Sequence, residues 1–162
     1  MTKVACDGFE FDFTDALEAF VFDEKAKSSP HYHGLSHAMK AVDIVVELPS
    51  RYLFIEVKDF HEPDSYHDDE HLAHLLKSLQ YKYRDSWLYR WCEGKTDKPI
   101  TYLCLLELEN ALLTQFGKEL RRQIPVKTAG PRWCNNISDA CIALNFVLWN
   151  ARFPAWPVIR LP

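Results

Sequence analysis

Asp43, Glu56 and Lys58 are the residues whose types and spacing could do chemistry together. Two carboxylates suit a hard divalent cation, which takes oxygen ligands and usually keeps some of its waters. A lysine beside them can hold or deprotonate such a water, or steady a phosphate. The segment that must position them is 41–59, AVDIVVELPSRYLFIEVKD. Val42, Ile44, Val46 and Leu48 alternate with other positions, and Leu53, Ile55 and Val57 repeat the pattern after Pro49-Ser50. A period of two marks β-strands, and proline, lacking an N–H for the ladder, marks the turn between them. Pairing Leu48 with Arg51 across the turn sets Asp43 opposite Glu56, and Lys58, two residues on, joins the same face. Charges taken out of water cost several kcal/mol each unless they are paired or bind a metal. The plainer alternative is a surface hairpin whose Lys58 simply pairs with Asp43 or Glu56.

At these residues the chain resembles the PD-(D/E)XK nuclease superfamily. The match consists of an aspartate on one strand, Asp43, and an acid-x-lysine tripeptide on the next, Glu56-Val57-Lys58. Val42 stands where a proline often precedes the aspartate, and the resemblance spans roughly the first ninety residues. It implies a restriction-endonuclease-like α/β fold, with a mixed central β-sheet flanked by helices and a hairpin carrying the acidic motif. It also implies metal-dependent hydrolysis of nucleic acid, DNA favoured, leaving a 5′-phosphate. Asp43, Glu56 and the backbone carbonyl of Val57 would hold Mg²⁺ or Mn²⁺, and Lys58 would position or activate the attacking water. A helix before the hairpin would add an acid, assigned to Glu18 with Asp15 and Glu10 as alternatives. The helix after it would bring Gln80 as an orienter of water or phosphate. Arg84, with Lys77 close by, would contact phosphate, and His37 is a further candidate for that contact.

Residues 14–25 predict a helix with Phe13, Leu17, Phe20 and Val21 inward, capped by Thr14. Residues 28–40 predict a loop, and 59–68 a polar connector over the site. Residues 70–91 predict a helix with Leu72, Leu75, Leu76, Leu79, Tyr83 and Trp87 inward, capped by Asp68 or Asp69. The apolar run 100–108 predicts a strand buried on both faces, and 108–123 a helix with a basic end. Residues 126–128 predict a short edge strand, 129–131 a turn and 138–151 a last helix. The proline-broken tail is expected to cover a sheet edge or to meet a partner subunit.

Length and composition suit a single globular domain of 162 residues, 48% of them hydrophobic. Up to Glu70 there are six basic against sixteen acidic residues, a balance of −10; from His71 onward the balance is +6. Acids would thus gather near a metal while basic groups meet phosphate, although a pI near 6.0 argues against tight nonspecific binding to long duplexes. Five cysteines without C-x-x-C spacing suggest neither a zinc knuckle nor a disulfide framework, and a reducing cytoplasm is expected. The start has no long apolar stretch of the secretory kind, and no segment approaches the ~20 apolar residues of a membrane span. There is no P-loop, G-x-G-x-x-G or G-x-S-x-G. Two rival readings remain open. One is an inactive scaffold of the same fold serving as a nucleic-acid-binding or assembly subunit of a larger system, whereas the nuclease reading admits a homodimer, as in enzymes of this kind that cut both strands. The other is a histidine-bound metal, since all seven histidines lie between His31 and His74.

Overall fold

The computed structural model of the chain describes residues 2–59, 68–127 and 130–162. Alternating apolar side chains build two sheets. Strands β1 (Lys3–Cys6) and β2 (Phe9–Asp12) form an antiparallel hairpin, joined on its β2 edge by β8 (Val158–Arg160). The larger sheet runs β3 (Glu18–Val21), β4 (Ile44–Glu47), β5 (Tyr52–Lys58), β6 (Ile100–Leu106) and β7 (Ala140–Leu144). Its first three strands are antiparallel, whereas β6 and β7 continue parallel to β5. Parallel neighbours need a crossover; α1 (Asp69–Cys92) supplies it between β5 and β6, and α2 (Asn110–Gln123) between β6 and β7. Helix α3 (Phe146–Arg152) precedes β8.

Both faces of the large sheet are covered. Phe20, Val45, Phe54, Tyr102 and Cys104 pack with Leu75, Leu79 and Tyr83 of α1 and with Leu113, Phe116 and Leu120 of α2. Ile44, Val46, Leu53, Ile55, Leu103 and Leu105 pack with Phe9 and Phe11 of the small sheet and with Trp149 of α3. Each large side chain removed from water in this way contributes roughly 1.5–3 kcal/mol. The expectation of a mixed central sheet with helices is met, with a second, smaller sheet on one side. The tail takes the edge-covering role, because β8 pairs with β2.

Three expected elements differ, and one hairpin is additional. Residues 14–25 are not a helix: Leu17, required on the helix's inner stripe, is 64% exposed, while Phe20 and Phe22 are buried at strand spacing. Residues 138–151 divide into β7 and α3, because alternation over Ala140–Leu144 continues the parallel sheet and the Asn145 side chain then caps α3 by accepting the Leu148 N–H. Val126 and Lys127 belong to no strand, and 128–129 lie outside the described residues. The first hairpin was unforeseen, although Asp-Gly between alternating residues is the strongest short hairpin signal. The connector at 59–68 falls largely outside the described residues, which resume at Asp68; the Asp68 side chain accepts the Glu70 N–H and caps α1.

Candidate functional site

The hairpin register is the expected one as far as Ile44. Ile44 pairs with Ile55 and Val46 with Leu53, and the Leu48 N–H donates to the Arg51 carbonyl at 2.9 Å. The ladder ends at Ile44, and Asp43 follows just beyond it, its N–H bonded to the Ile55 carbonyl rather than paired with Glu56. Asp43 is held from all sides. Its N–H donates to the Ile55 carbonyl at 3.0 Å, and its own carbonyl accepts the Phe22 N–H at 2.8 Å. Its side-chain Oδ2 accepts the Val57 N–H at 2.8 Å. A residue whose main chain is bonded on both sides and whose carboxylate accepts a backbone N–H has little rotational freedom left.

Glu56 is fully buried and Asp43 nearly so. Two ammonium groups answer them. Lys58 Nζ lies 3.1 Å from Glu56 Oε1. Lys82 Nζ lies 2.6 Å from the same oxygen and 3.4 Å from Asp43 Oδ1. Lys82 reaches the sheet because it shares the inner face of α1 with Leu79 and Ser86, three residues before it and four after. The helix is pinned there from below: Ser86 Oγ accepts the Val42 N–H at 2.9 Å and Asp85 Oδ2 the Lys40 N–H at 2.8 Å. Glu56 Oε2, by contrast, is buried without a partner.

These surroundings set the charge states. Burial, and then the Asp43 carboxylate, push the Glu56 carboxyl up to about 7, against the pull of Lys82 and Lys58. Burial by itself would lower the Lys82 ammonium, but Glu56 and then Asp43 outweigh it and hold Lys82 above its ordinary value. Lys82 therefore stays charged, and Glu56 is the group poised near neutrality.

A third side of the site comes from the β1–β2 tip. Asp7 and Gly8 both take positive φ, 45° and 79°, the geometry of the tight turn favoured between twisted strands. Ligand atoms of Cys6, Asp7 and Asp43 lie within 4.8 Å of one another. Burial, followed by Asp43, Asp7 and Glu56, pushes the Cys6 thiol up to about 12. A cleft of about 350 Å³ lined by Asp7, Gly8, Lys58 and Asp59 opens beside them. A cavity of about 410 Å³ around Trp87, Trp91 and Asn135 is larger but holds no such acid pair on the sheet. At the rim, Arg160 ties Asp59 to Glu107, at 3.3 and 2.6 Å.

The structure thus brings Asp43, Glu56, Val57 and Lys58 together and leaves the other candidates outside. Glu18 is exposed on β3 opposite Glu47, four residues along β4 from Asp43. At ~3.3 Å per residue that is roughly 13 Å of strand, too far to complete the acid pair. Gln80 turns the other way and donates to the Gln123 carbonyl at the end of α2. Lys77 and Arg84 are exposed and flank the Tyr81 ring, at 5.7 and 5.6 Å. His37 lies exposed in the loop before β4. His31 and His33 pack on Phe20 and Phe22, and among the described residues no histidine joins a group of three possible metal ligands. His61 and His67 fall outside the described residues. The residues missed were Lys82, signalled only by its place on the Leu75–Leu79–Ser86 ridge, and Asp7, signalled by its Asp-Gly turn.

No family model matches the chain, and neither a curated protein nor a solved structure matches it. Among the described residues no helix is long and apolar enough to cross a membrane.

Proposed function

We propose that the protein is a divalent-metal-dependent nuclease of restriction-endonuclease-like fold, acting on nucleic acid with DNA favoured. The observation that carries this reading is the buried Asp43–Glu56 pair, joined through the Lys82 ammonium, with one Glu56 oxygen buried and unpartnered beside two lysines. Support comes also from the order of elements, in which a hairpin bearing the acids leads into a helix that returns a lysine to them. One feature departs from the resemblance. The segment before the hairpin is a strand, so the expected helical acid has no counterpart at Glu18.

The donor set fits Mg²⁺ or Mn²⁺, because such ions favour carboxylate oxygens and Glu56 Oε2 lacks any other partner. Asp43, Glu56 and the Val57 carbonyl would hold the ion, which when bound supplies charge that stabilises a reacting phosphate. The two lysines divide the remaining work. Lys58, about a third exposed and lining the cleft beside its contact with Glu56, would hold the attacking water or a phosphate oxygen. Lys82, at half that exposure, spans both carboxylates and keeps Glu56 Oε1 turned inward, as a positioning residue.

One observation favours a second reading. Two ammonium groups already balance two carboxylates, as they would in an inactive scaffold that binds or assembles rather than cuts. The experiment is cleavage of labelled single- and double-stranded DNA and of RNA with Mg²⁺, Mn²⁺ or EDTA, run beside Lys58→Ala. Metal-dependent cutting lost in the variant supports the nuclease. A folded protein that neither cuts any of these nor gains thermal stability from either ion supports the scaffold.

A further inference from the structure

The proposed catalysis uses the hairpin acids and leaves Cys6 and Asp7 without a role. We infer that Cys6, Asp7 and Asp43 form a binding site for a thiophilic divalent cation of the Zn²⁺ and Cd²⁺ class. This deepens the proposed function and rests on it in taking Asp43 as a metal ligand.

Three donors from two separate segments of the chain converge here, with their ligand atoms within 4.8 Å of one another. One is a thiol and two are carboxylates, a mixture that suits borderline and soft ions in four-coordination, whereas Mg²⁺ has little use for sulfur. A second observation points to a ligand beside them. Glu56, fully buried and sharing the Lys82 ammonium with Asp43, has one oxygen taken by Lys58 and Lys82 and the other without a partner. A water completes the four donors.

Binding exchanges one bond for another without any redox change. The Cys6 S–H proton leaves to solvent, and the sulfur lone pair forms the bond to the cation. Asp43 serves both arrangements, so the two kinds of ion compete. Hard cations settle on the oxygens of the hairpin, and thiophilic ones are drawn toward the β1–β2 tip. Zn²⁺ therefore inhibits Mg²⁺-dependent cleavage, and Cys6→Ser relieves that inhibition.

The test is a Cd²⁺ titration followed by thiolate-to-metal charge-transfer absorbance in the near ultraviolet. It uses the full chain with the exposed Cys92 and Cys134 replaced by serine. One equivalent is expected to saturate the band. Cys6→Ser should abolish it, while Asp7→Asn, which asparagine's tolerance of positive φ allows to fold, should keep the band but weaken binding by about tenfold or more. A band that survives Cys6→Ser, or undiminished affinity in Asp7→Asn, overturns the inference. The two readings fail separately. A Cys6-dependent band in a protein that cuts nothing retains the site and removes the nuclease. Mg²⁺-dependent cutting without any band does the reverse.

Discussion

The two ends of the β4–β5 hairpin carry the same ingredients and treat them oppositely. At one end Glu47 sits between Lys98 at 2.7 Å and Lys95 at 3.1 Å. At the other, Glu56 sits between Lys82 at 2.6 Å and Lys58 at 3.1 Å. Hydrogen bonding from Lys98, strengthened by Lys95 against a smaller effect of burial, holds the Glu47 carboxyl below its ordinary value. Burial and Asp43 hold Glu56 above it. Two lysines around a glutamate therefore do not define a site. What separates the ends is a second carboxylate and complete removal from water, which leave Glu56 with an oxygen unpaired and a proton affinity near neutrality. An ion pair that satisfies itself is structure; one that leaves a donor over is available for chemistry.

The largest difference between the ends should appear in activity. Within the nuclease reading, Lys58→Ala lowers the cleavage rate by about 10²–10⁴-fold, the usual range for a positioned proton-handling group. Lys95→Ala, at the satisfied end, leaves the rate unchanged. Steady-state cleavage of one labelled duplex by both variants checks this, and equal losses would erase the functional distinction.

Stability should follow in the same direction. Lys82→Met takes from buried Asp43 its ammonium partner and leaves buried Glu56 with Lys58 alone, and should cost about 3–5 kcal/mol at pH 8, the usual penalty for breaking a buried pair. Lys98→Met removes a partner from a glutamate that keeps Lys95, and about 1 kcal/mol is expected. Urea unfolding of the two variants gives the comparison. The Lys82→Met deficit should shrink at pH 5.5, where Glu56 takes up a proton and one of the buried charges disappears.

The pH dependence separates the ends by sign. Glu56 binds its proton more tightly folded than unfolded, so the folded state holds extra protons between the unfolded value of 4.5 and about 7. Stability therefore falls as pH rises through that window, by up to roughly 3 kcal/mol from this group. Glu47 is depressed on folding, so its contribution is present above 4.5 and is lost as pH falls through its folded value. In a series of urea midpoints against pH, Glu56→Gln should flatten the decline toward neutrality. Glu47→Gln should flatten only the loss in acid.

The sequence was most legible where the determinants are local. Alternation on either side of Pro49-Ser50 specifies the hairpin and its register as far as Ile44, which brings Asp43 and Glu56 to the same end of it. The long apolar stripe and Asp68 specify α1. Residues 14–25 misled because Leu17, Phe20 and Val21 satisfy a helical period while Phe20 and Phe22 satisfy a strand. The decision belongs to pairing with β4, a contact from outside the segment. The same competition converted part of the expected last helix into β7, which completes its ladder on β6. Lys82 was hidden for a related reason: the face that α1 turns to the sheet depends on its docking through Ser86 and Asp85 to residues more than forty positions earlier. Asp7 was different, since its Asp-Gly turn is a local signal and only its arrival at Asp43 is long-range.

The smallest expected effect tests whether proximity to the unsatisfied end is what matters. Glu18 is an acid on the same sheet as Asp43, but it is exposed and stands beside Glu47 at the satisfied end. Glu18→Gln should change stability by less than about 0.5 kcal/mol, as surface substitutions usually do, and should leave metal-dependent cleavage intact. Removing a negative charge opposite Glu47 relieves a like-charge cross-strand pair, so any change should be slightly stabilising. Asp7→Asn, a charge change of the same size at the β1–β2 tip, should weaken cation binding instead. Isothermal titration of Cd²⁺ into both variants, each with Cys92 and Cys134 replaced by serine, decides it. Weaker binding in Glu18→Gln than in Asp7→Asn would mean that the acid completing the site comes from β3 after all, by a rearrangement of the sheet edge absent from this fold.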